Sequence, residues 1–189
     1  AYAWALALGG EAGAKLLDKL GLIEPAIEYA TDSGAFDHAF ELARACCKKK
    51  IPEIHLKYAL FLEDEMKFAE AEVEFVKANK PREAIDMYLH QQAWDSALRV
   101  AQESDPSAIP DVYVAQGTAE AQEQNWQQAE QLFLTAGKPE MALSMYQEAK
   151  MWQDALRICQ QHLPHKLGEV NLAAQQAQAV DGTGGTKAD

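Results

Sequence analysis

The sequence predicts an all-α fold, a right-handed solenoid of degenerate helical hairpins with a period of 58 residues and two hairpins. Composition is the first reason, because alanine occurs 34 times whereas Val, Ile and Thr together occur 19 times in 189 residues. That balance favours helix and leaves little material for a sheet. The second reason is internal, since the chain matches itself at one fixed offset, which is typical of stacked repeats.

The self-match needs no gap between residues 53–102 and residues 111–160. It extends backward over residues 25–43, so that the chain contains about two and a half units. Since a single repeat cannot bury its apolar face alone, neighbouring repeats must stack. Fifteen positions of the first full copy are identical in the second: Glu65, Ala71, Glu72, Phe75, Ala78, Lys80, Pro81, Ala84, Met87, Tyr88, Trp94, Ala97, Leu98, Arg99 and Gln102.

Apolar spacing resolves each copy into helices. In residues 68–78 apolar positions recur at steps of three and four, which is one face of a helix. The next helix, residues 81–92, begins with a proline, which suits a first turn because its missing N–H would be unpaired there. A third helix covers residues 95–103, with Asp95 as its expected N-cap. Each copy is therefore predicted to hold four helices in two antiparallel hairpins averaging 29 residues, separated by breaks at 49–52, 79–81, 105–110, 137–139 and 163–164.

Repeated small and aromatic residues are assigned to the core. A larger side chain at the repeated alanines would overpack the helix contacts, at a cost of about 1–3 kcal/mol. The aromatic residues Phe75, Tyr88 and Trp94 recur in register, which favours filling between hairpins over an aromatic ligand site. The repeated alanines are Ala71, Ala84 and Ala97, with Ala129, Ala142 and Ala155.

This pattern resembles the tetratricopeptide repeat, in which an aromatic residue near the end of one helix precedes an alanine of the next helix by nine positions. Tyr88 and Ala97 keep that spacing, and Ala71, Phe75 and Ala78 resemble the small, aromatic, small triplet of the family's second helix. The hairpins are shorter than the family's 34 residues, and most of its first-helix Trp and Gly positions are absent. They are therefore interpreted as degenerate repeats.

Longer stretches are similar to the C-terminal tetratricopeptide-like solenoid of the large peripheral subunit of intraflagellar transport complex B. They cover about residues 1–179 and include GGEAGAKLLDKLGLIEPAIEYA, FDHAFELARA, EIHLKYALFLEDEMKFAEAEVEFVKANKPREAIDMY and WQDALRIC. The resemblance implies a non-catalytic scaffold without cofactors that binds other intraflagellar transport subunits or cargo proteins. It also implies a place in the cilium or flagellum and basal body, on the cytoplasmic side. Two alternatives from other classes are a vesicle-coat or membrane-trafficking solenoid and a regulatory helical module of a larger enzyme.

Domain organisation follows from the repeat. Residues 1–10 are expected to end a preceding helix, residues 11–180 to form the array, and residues 181–189 to form a disordered tail; because the chain begins without Met, a mid-chain fragment is expected. No apolar run approaches the ~20 residues of a membrane span. The formal charge of −12 makes nucleic acid a poor partner, and residues 100–164 hold nine acidic against three basic residues. Three cysteines, two of them adjacent, suggest a reducing compartment.

Candidate binding residues are those that the packing pattern does not use. On the helix that begins at Pro81 they lie at four-residue spacing, and their counterparts 58 residues later differ in charge. Two surfaces that meet different partners would differ in this way, and so would solvent-facing positions that drift freely. The predicted partner-binding residues are Arg82, Asp86 and His90 in the first copy, and Glu140, Ser144 and Glu148 in the second.

A zinc site is the strongest metal candidate in the sequence. Cys159, His162 and His165 recur at three-residue steps, so a thiolate and two imidazoles could share one side of a helix end. Pro164 interrupts that helix, no fourth ligand is evident nearby, and Cys159 replaces the repeat alanine Ala101. The sequence therefore predicts a small core residue at Cys159 and no metal ion, cofactor or catalytic set.

Overall fold

The computed structural model describes residues 9–183 and their side chains as far as Ala179. Between these limits the chain contains α-helices, three short 3-10 helices and no strand. The 3-10 helices span Lys48–Lys50, Pro106–Ala108 and Pro164–Lys166. The α-helices are α1 Gly10–Lys19, α2 Ile23–Asp32, α3 Phe36–Cys46, α4 Ile51–Asp64, α5 Phe68–Lys77, α6 Pro81–His90, α7 Trp94–Ser104, α8 Ile109–Gln122, α9 Trp126–Thr135, α10 Pro139–Glu148, α11 Trp152–His162 and α12 Leu167–Thr183.

The helices form two compact units, Ala1–Pro106 and Ser107–Asp189. In the first unit α2 pairs with α3, α4 with α5 and α6 with α7, while α1 packs on α3. In the second unit α8 pairs with α9 and α10 with α11, while α12 packs on α11. Because consecutive helices pack in chain order within each unit, the prediction of an all-α solenoid is confirmed.

The predicted terminal segments lie mainly outside the described residues. Residues 1–8 and 184–189 are not described, so the helix end expected at 1–10 and the tail expected at 181–189 stay predictions. Helix α12 continues as far as Thr183.

Repeated small residues occupy the helix contacts, as the sequence predicted. Of the aromatic residues, Phe75 and Tyr88 are buried, whereas Trp94 is only partly covered. Each repeated alanine position is limited by its neighbours to a methyl group, which lets the helices approach closely. All six repeated alanines are 0% exposed: Ala71, Ala84, Ala97, Ala129, Ala142 and Ala155.

Tight left-handed turns close the hairpins. Gly34, Gln92 and Lys150 are spaced by the repeat period and have φ of 78°, 54° and 58°. After Gln92, the N–H of Ala93 donates to the carbonyl of Tyr88 at 2.9 Å, which pairs a carbonyl that the end of α6 would otherwise leave free. Two of the three turns therefore use residues that carry a Cβ where glycine is preferred.

The expected N-cap of α7 was wrong by two residues. The helix begins at Trp94 with Ala93 as its N-cap, and no side chain forms a cap hydrogen bond. Asp95 lies within the first turn, where its charge still favours the helix dipole. Over the described part of the chain, no helix has the length and apolar character needed to cross a membrane.

Candidate protein-interaction surface

All six predicted binding residues are exposed. Arg82, Asp86 and His90 lie along α6, and the second copy places its three counterparts along α10. The interpretation that these residues lie outside the packing stripe therefore agrees with their positions, and their binding of a partner stays a prediction. The α10 residues are Glu140, Ser144 and Glu148.

Arg82 of α6 forms an ion pair within its own unit. Arg82 Nε lies 3.6 Å from Asp105 Oδ2, so its guanidinium is engaged within the first unit. Its side chain is 55% exposed, and such an exposed pair contributes at most about 1 kcal/mol to stability.

Two of the α10 residues border a groove in the second unit. Ser144 and Glu148 lie on a recess of about 540 Å³ formed by α8, α9 and α10, a volume within the usual range for binding pockets. This recess is the second-unit groove. It is lined by Thr118, Ala121, Gln122, Trp126, Phe133, Met141, Ser144, Met145, Glu148 and Ala149.

Aromatic and thioether side chains form the apolar part of the groove. Phe133 and Met145 are buried, at 3% and 7% exposure, whereas Trp126 and Met141 are half-buried. Gly117 allows α8 to lie close to this wall, because a Cβ there would stand 2.9 Å from the Phe133 ring. Sequence reasoning did not find this groove, since its lining comes from three helices.

A Glu–Tyr–Arg interaction is repeated in both units. In the second, Tyr146 Oη donates to Glu130 Oε2 at 2.5 Å, and Arg157 donates to the two Glu130 oxygens at 2.9 and 2.6 Å. Arg157 also donates to Asp154 Oδ1 at 3.1 Å. One carboxylate thereby joins α9, α10 and α11.

In the first unit the same interaction joins α5, α6 and α7. Tyr88 Oη donates to Glu72 Oε2 at 2.7 Å, and Arg99 donates to the Glu72 oxygens at 3.0 and 2.7 Å. These residues precede their second-unit counterparts by 58 positions. The sequence signal for this interaction is that all three polar residues are identical in the two copies. Of the three, only Tyr88 was assigned a position from the sequence, in the core.

The electrostatics of these interactions favour the ionised form of each carboxyl group near neutral pH. Hydrogen bonds from Arg99 and Tyr88 hold the pKa of Glu72 below its usual value, and those from Arg157 and Tyr146 do the same for Glu130. Burial, together with the hydrogen bond to Glu72, raises the pKa of Tyr88 to about 12. A carboxylate and phenol held in this way are suited to joining helices rather than to exchanging protons near neutral pH.

A second buried carboxylate, found only by the structure, lies in the first unit. His55 Nδ1 lies 2.6 Å from Glu74 Oε2, and Lys77 Nζ donates to Glu74 Oε1 at 2.7 Å. Burial opposes the charge of Glu74, but the hydrogen bonds from Lys77 and His55 outweigh it and lower the pKa of this carboxyl. The counterparts of these residues in the second copy are Tyr113, Leu132 and Thr135, so the interaction is not repeated.

The three residues of the candidate zinc site differ in exposure. Cys159 is 0% exposed within α11, and burial raises the pKa of its thiol. His162 and His165 are both exposed. Within residues 9–183, no group of three His, Cys, Asp or Glu side chains is placed to hold a metal ion.

Comparison with known proteins gives several intraflagellar transport proteins as relatives. Over its full length the chain is 54% identical to intraflagellar transport protein 172 of Chlamydomonas reinhardtii. It is 52% identical over 88% of its length to the human homolog, and 36% identical over 97% to intraflagellar transport protein osm-1 of Caenorhabditis elegans. No protein-family model matches the chain.

The chain spans about a tenth of the length of these relatives, 11%, 10% and 11% respectively. Its similarity to one stretch of the intraflagellar transport subunit confirms the resemblance inferred from the sequence.

Proposed function

We propose that this chain is a stretch of the solenoid of an intraflagellar transport subunit and acts there as a non-catalytic scaffold. The observation that carries the proposal is 54% identity over the full chain to intraflagellar transport protein 172 of Chlamydomonas reinhardtii. The partners are other subunits of the transport machinery or cargo proteins. The place of action is the cilium or flagellum and its basal body, on the cytoplasmic side.

The internal contacts support a structural role. Glu72 and Glu130 each accept hydrogen bonds from one arginine and one tyrosine. Each carboxylate therefore holds its helix to two others. The exposed residues of α6 differ from their counterparts on α10, as expected of a scaffold that presents different surfaces along its length.

A segment exchange in Chlamydomonas reinhardtii tests the proposal. The matching stretch of the alga's own protein is replaced by residues 1–189, in cells from which the native copy has been removed. A second strain carries the protein with that stretch deleted. We expect the exchanged protein to restore flagella and to crosslink to other transport subunits, and the deleted protein to fail in both.

Comparable abundance of the two proteins, checked by immunoblot, separates lost function from lost protein. Flagella of normal length and frequency in the deletion strain would contradict the proposal, as would an exchanged protein that never enters the flagellum.

A further inference from the structure

We propose that the second-unit groove binds a protein segment that inserts a large apolar side chain against Trp126, Phe133 and Met141 and places a lysine or arginine beside Glu148. This proposal rests on the proposed function, because it names the chemistry of a partner for the scaffold.

The repeat provides an internal control for the apolar lining. Positions that pack the hairpins are copied, as at Phe75 and Phe133 or Met87 and Met145. Four lining positions change from acidic in the first copy to uncharged in the second. The pairs are Glu63 and Ala121, Asp64 and Gln122, Glu83 and Met141, and Asp86 and Ser144.

This exchange shows that hairpin packing does not require an apolar groove. In the first unit Asp64, Glu83 and Asp86 are exposed, so the same helices pack with carboxylates at these positions. The second copy instead places Met141 and Ala121 half-buried around a recess. An apolar concave surface that the fold itself does not need is typical of a binding site.

The lining selects the apolar part of the partner. Tryptophan and phenylalanine offer large rigid surfaces, and methionine adapts to the shape of an inserted side chain. The half-buried Trp126 and Met141 would lose further exposed apolar surface when such a side chain enters, which favours binding.

Charge selects the polar part of the partner. Glu148 borders the groove and forms no ion pair with any residue between 9 and 179, while none of the ten lining residues is Lys or Arg. Residues 107–179 contain eight acidic and four basic residues. A basic partner residue beside Glu148 is therefore attracted, whereas an acidic one is repelled.

Two synthetic peptides probe this chemistry directly. Each is an 18-residue, fluorescein-labelled helix of Ala and Gln with two leucines one helical turn apart. One carries a single lysine beside the leucines, and its twin carries glutamate there. We expect fluorescence anisotropy to show at least about tenfold tighter binding of the lysine peptide to the 189-residue chain.

Substitutions taken from the first copy replace apolar groove lining with carboxylates, at positions where the first unit already carries them. Met141→Glu and Ala121→Glu reproduce Glu83 and Glu63 of the first unit. Each carboxylate replaces apolar surface that the leucines contact, and burying it against them costs more than its attraction for the lysine contributes. We therefore expect either change to weaken binding of the lysine peptide about tenfold or more, with an unchanged helical circular dichroism spectrum. Binding unaffected by both substitutions would overturn the proposal.

A charge reversal tests the basic residue of the partner. Glu148→Lys is expected to exchange the preference, so that the glutamate peptide binds better than the lysine peptide. Glu140→Lys is the matched control, since it makes the same charge change on α10 at an exposed residue outside the groove lining. Equal effects of the two variants would assign the preference to general surface charge and overturn the proposal.

Trp126 reports where the peptide binds. We expect the peptide to change tryptophan emission in the native chain and to lose most of this effect in Trp126→Phe, which carries the aromatic residue of the first copy, Phe68. Anisotropy should still show binding to that variant. Absence of peptide preference in a chain that restores flagella in the segment exchange would overturn the groove proposal and leave the proposed function standing.

Discussion

Arg157 donates two hydrogen bonds, of 2.9 and 2.6 Å, to the carboxylate of Glu130, which lies 27 residues earlier in the chain. The same two-bond contact joins Arg99 to Glu72 in the first unit, at 3.0 and 2.7 Å. Two-bond contacts of this kind fix orientation as well as distance. The repeat therefore conserves an electrostatic contact between non-adjacent helices together with its small core residues.

Removing the charge of Glu130 is expected to destabilise the second unit. Glu130→Gln leaves Tyr146 and Arg157 with a neutral acceptor, and we expect the free energy of unfolding to fall by about 1–2 kcal/mol. This change lies in the lower part of the range usual for hydrogen bonds to charged groups, because the Arg157 side chain is 39% exposed and partly screened by solvent. Urea unfolding followed by circular dichroism measures the change.

Glu72→Gln and Glu140→Gln are compared with Glu130→Gln in the same urea experiment. Glu72 is more exposed than Glu130, at 16% against 8% for the side chain, so its substitution should cost less. Glu140 is exposed, and its substitution should leave the unfolding midpoint unchanged. A Glu130→Gln variant as stable as the Glu140→Gln variant would contradict the assigned role of the contact.

Acid is expected to weaken the same contacts. The pKa values of Glu72 and Glu130 are lowered in the folded chain from 4.5, so their stabilisation is present above about pH 4.5 and is lost as the pH falls through the lowered values. Unfolding midpoints in urea between pH 7 and pH 3 should therefore fall toward acid. In the double variant Glu72→Gln, Glu130→Gln the decline should be shallower, and parallel curves for the two proteins would rule out this contribution.

Glycine is expected to stabilise the turn after α6. Gln92 has φ of 54°, and its repeat counterpart Gly34 has φ of 78°. Gln92→Gly relieves the left-handed strain and should raise the free energy of unfolding by about 0.5–1 kcal/mol. Gln91→Gly is the control, because Gln91 has φ of −84° and glycine there should only add flexibility. Thermal unfolding of the two variants should shift in opposite directions, and a lower midpoint for Gln92→Gly would argue against strain at this turn.

The small core positions are expected to reject larger side chains. Ala71→Leu places a branched side chain at a position of α5 that is 0% exposed, and it should cost about 1–3 kcal/mol by overpacking. Ala69→Leu makes the same change two residues earlier on an exposed part of α5 and should have little effect. Chemical denaturation compares the two variants, and similar midpoints would show that the helix contact at Ala71 accommodates a larger side chain.

Local sequence patterns were sufficient to predict the helices and much of the core. The helices and the buried alanines follow from residue spacing and from the repeat, which are properties of neighbouring positions along the chain. The N-cap at Asp95 was misplaced because helix ends depend on a few backbone hydrogen bonds that composition describes poorly. The sequence did not predict the left-handed turns at Gln92 and Lys150, because neither residue is the glycine that usually occupies such turns.

Residue spacing and the internal repeat are enough to predict the all-α array, its packing residues and the exposure of the six residues on α6 and α10. They do not predict which polar residues meet or which surface is concave, because those features depend on contacts between helices. Glu130, Tyr146 and Arg157 come from three helices, as do the residues of the second-unit groove. The physical reason is that periodicity orients side chains around one helix, whereas contacts between helices depend on how those helices pack.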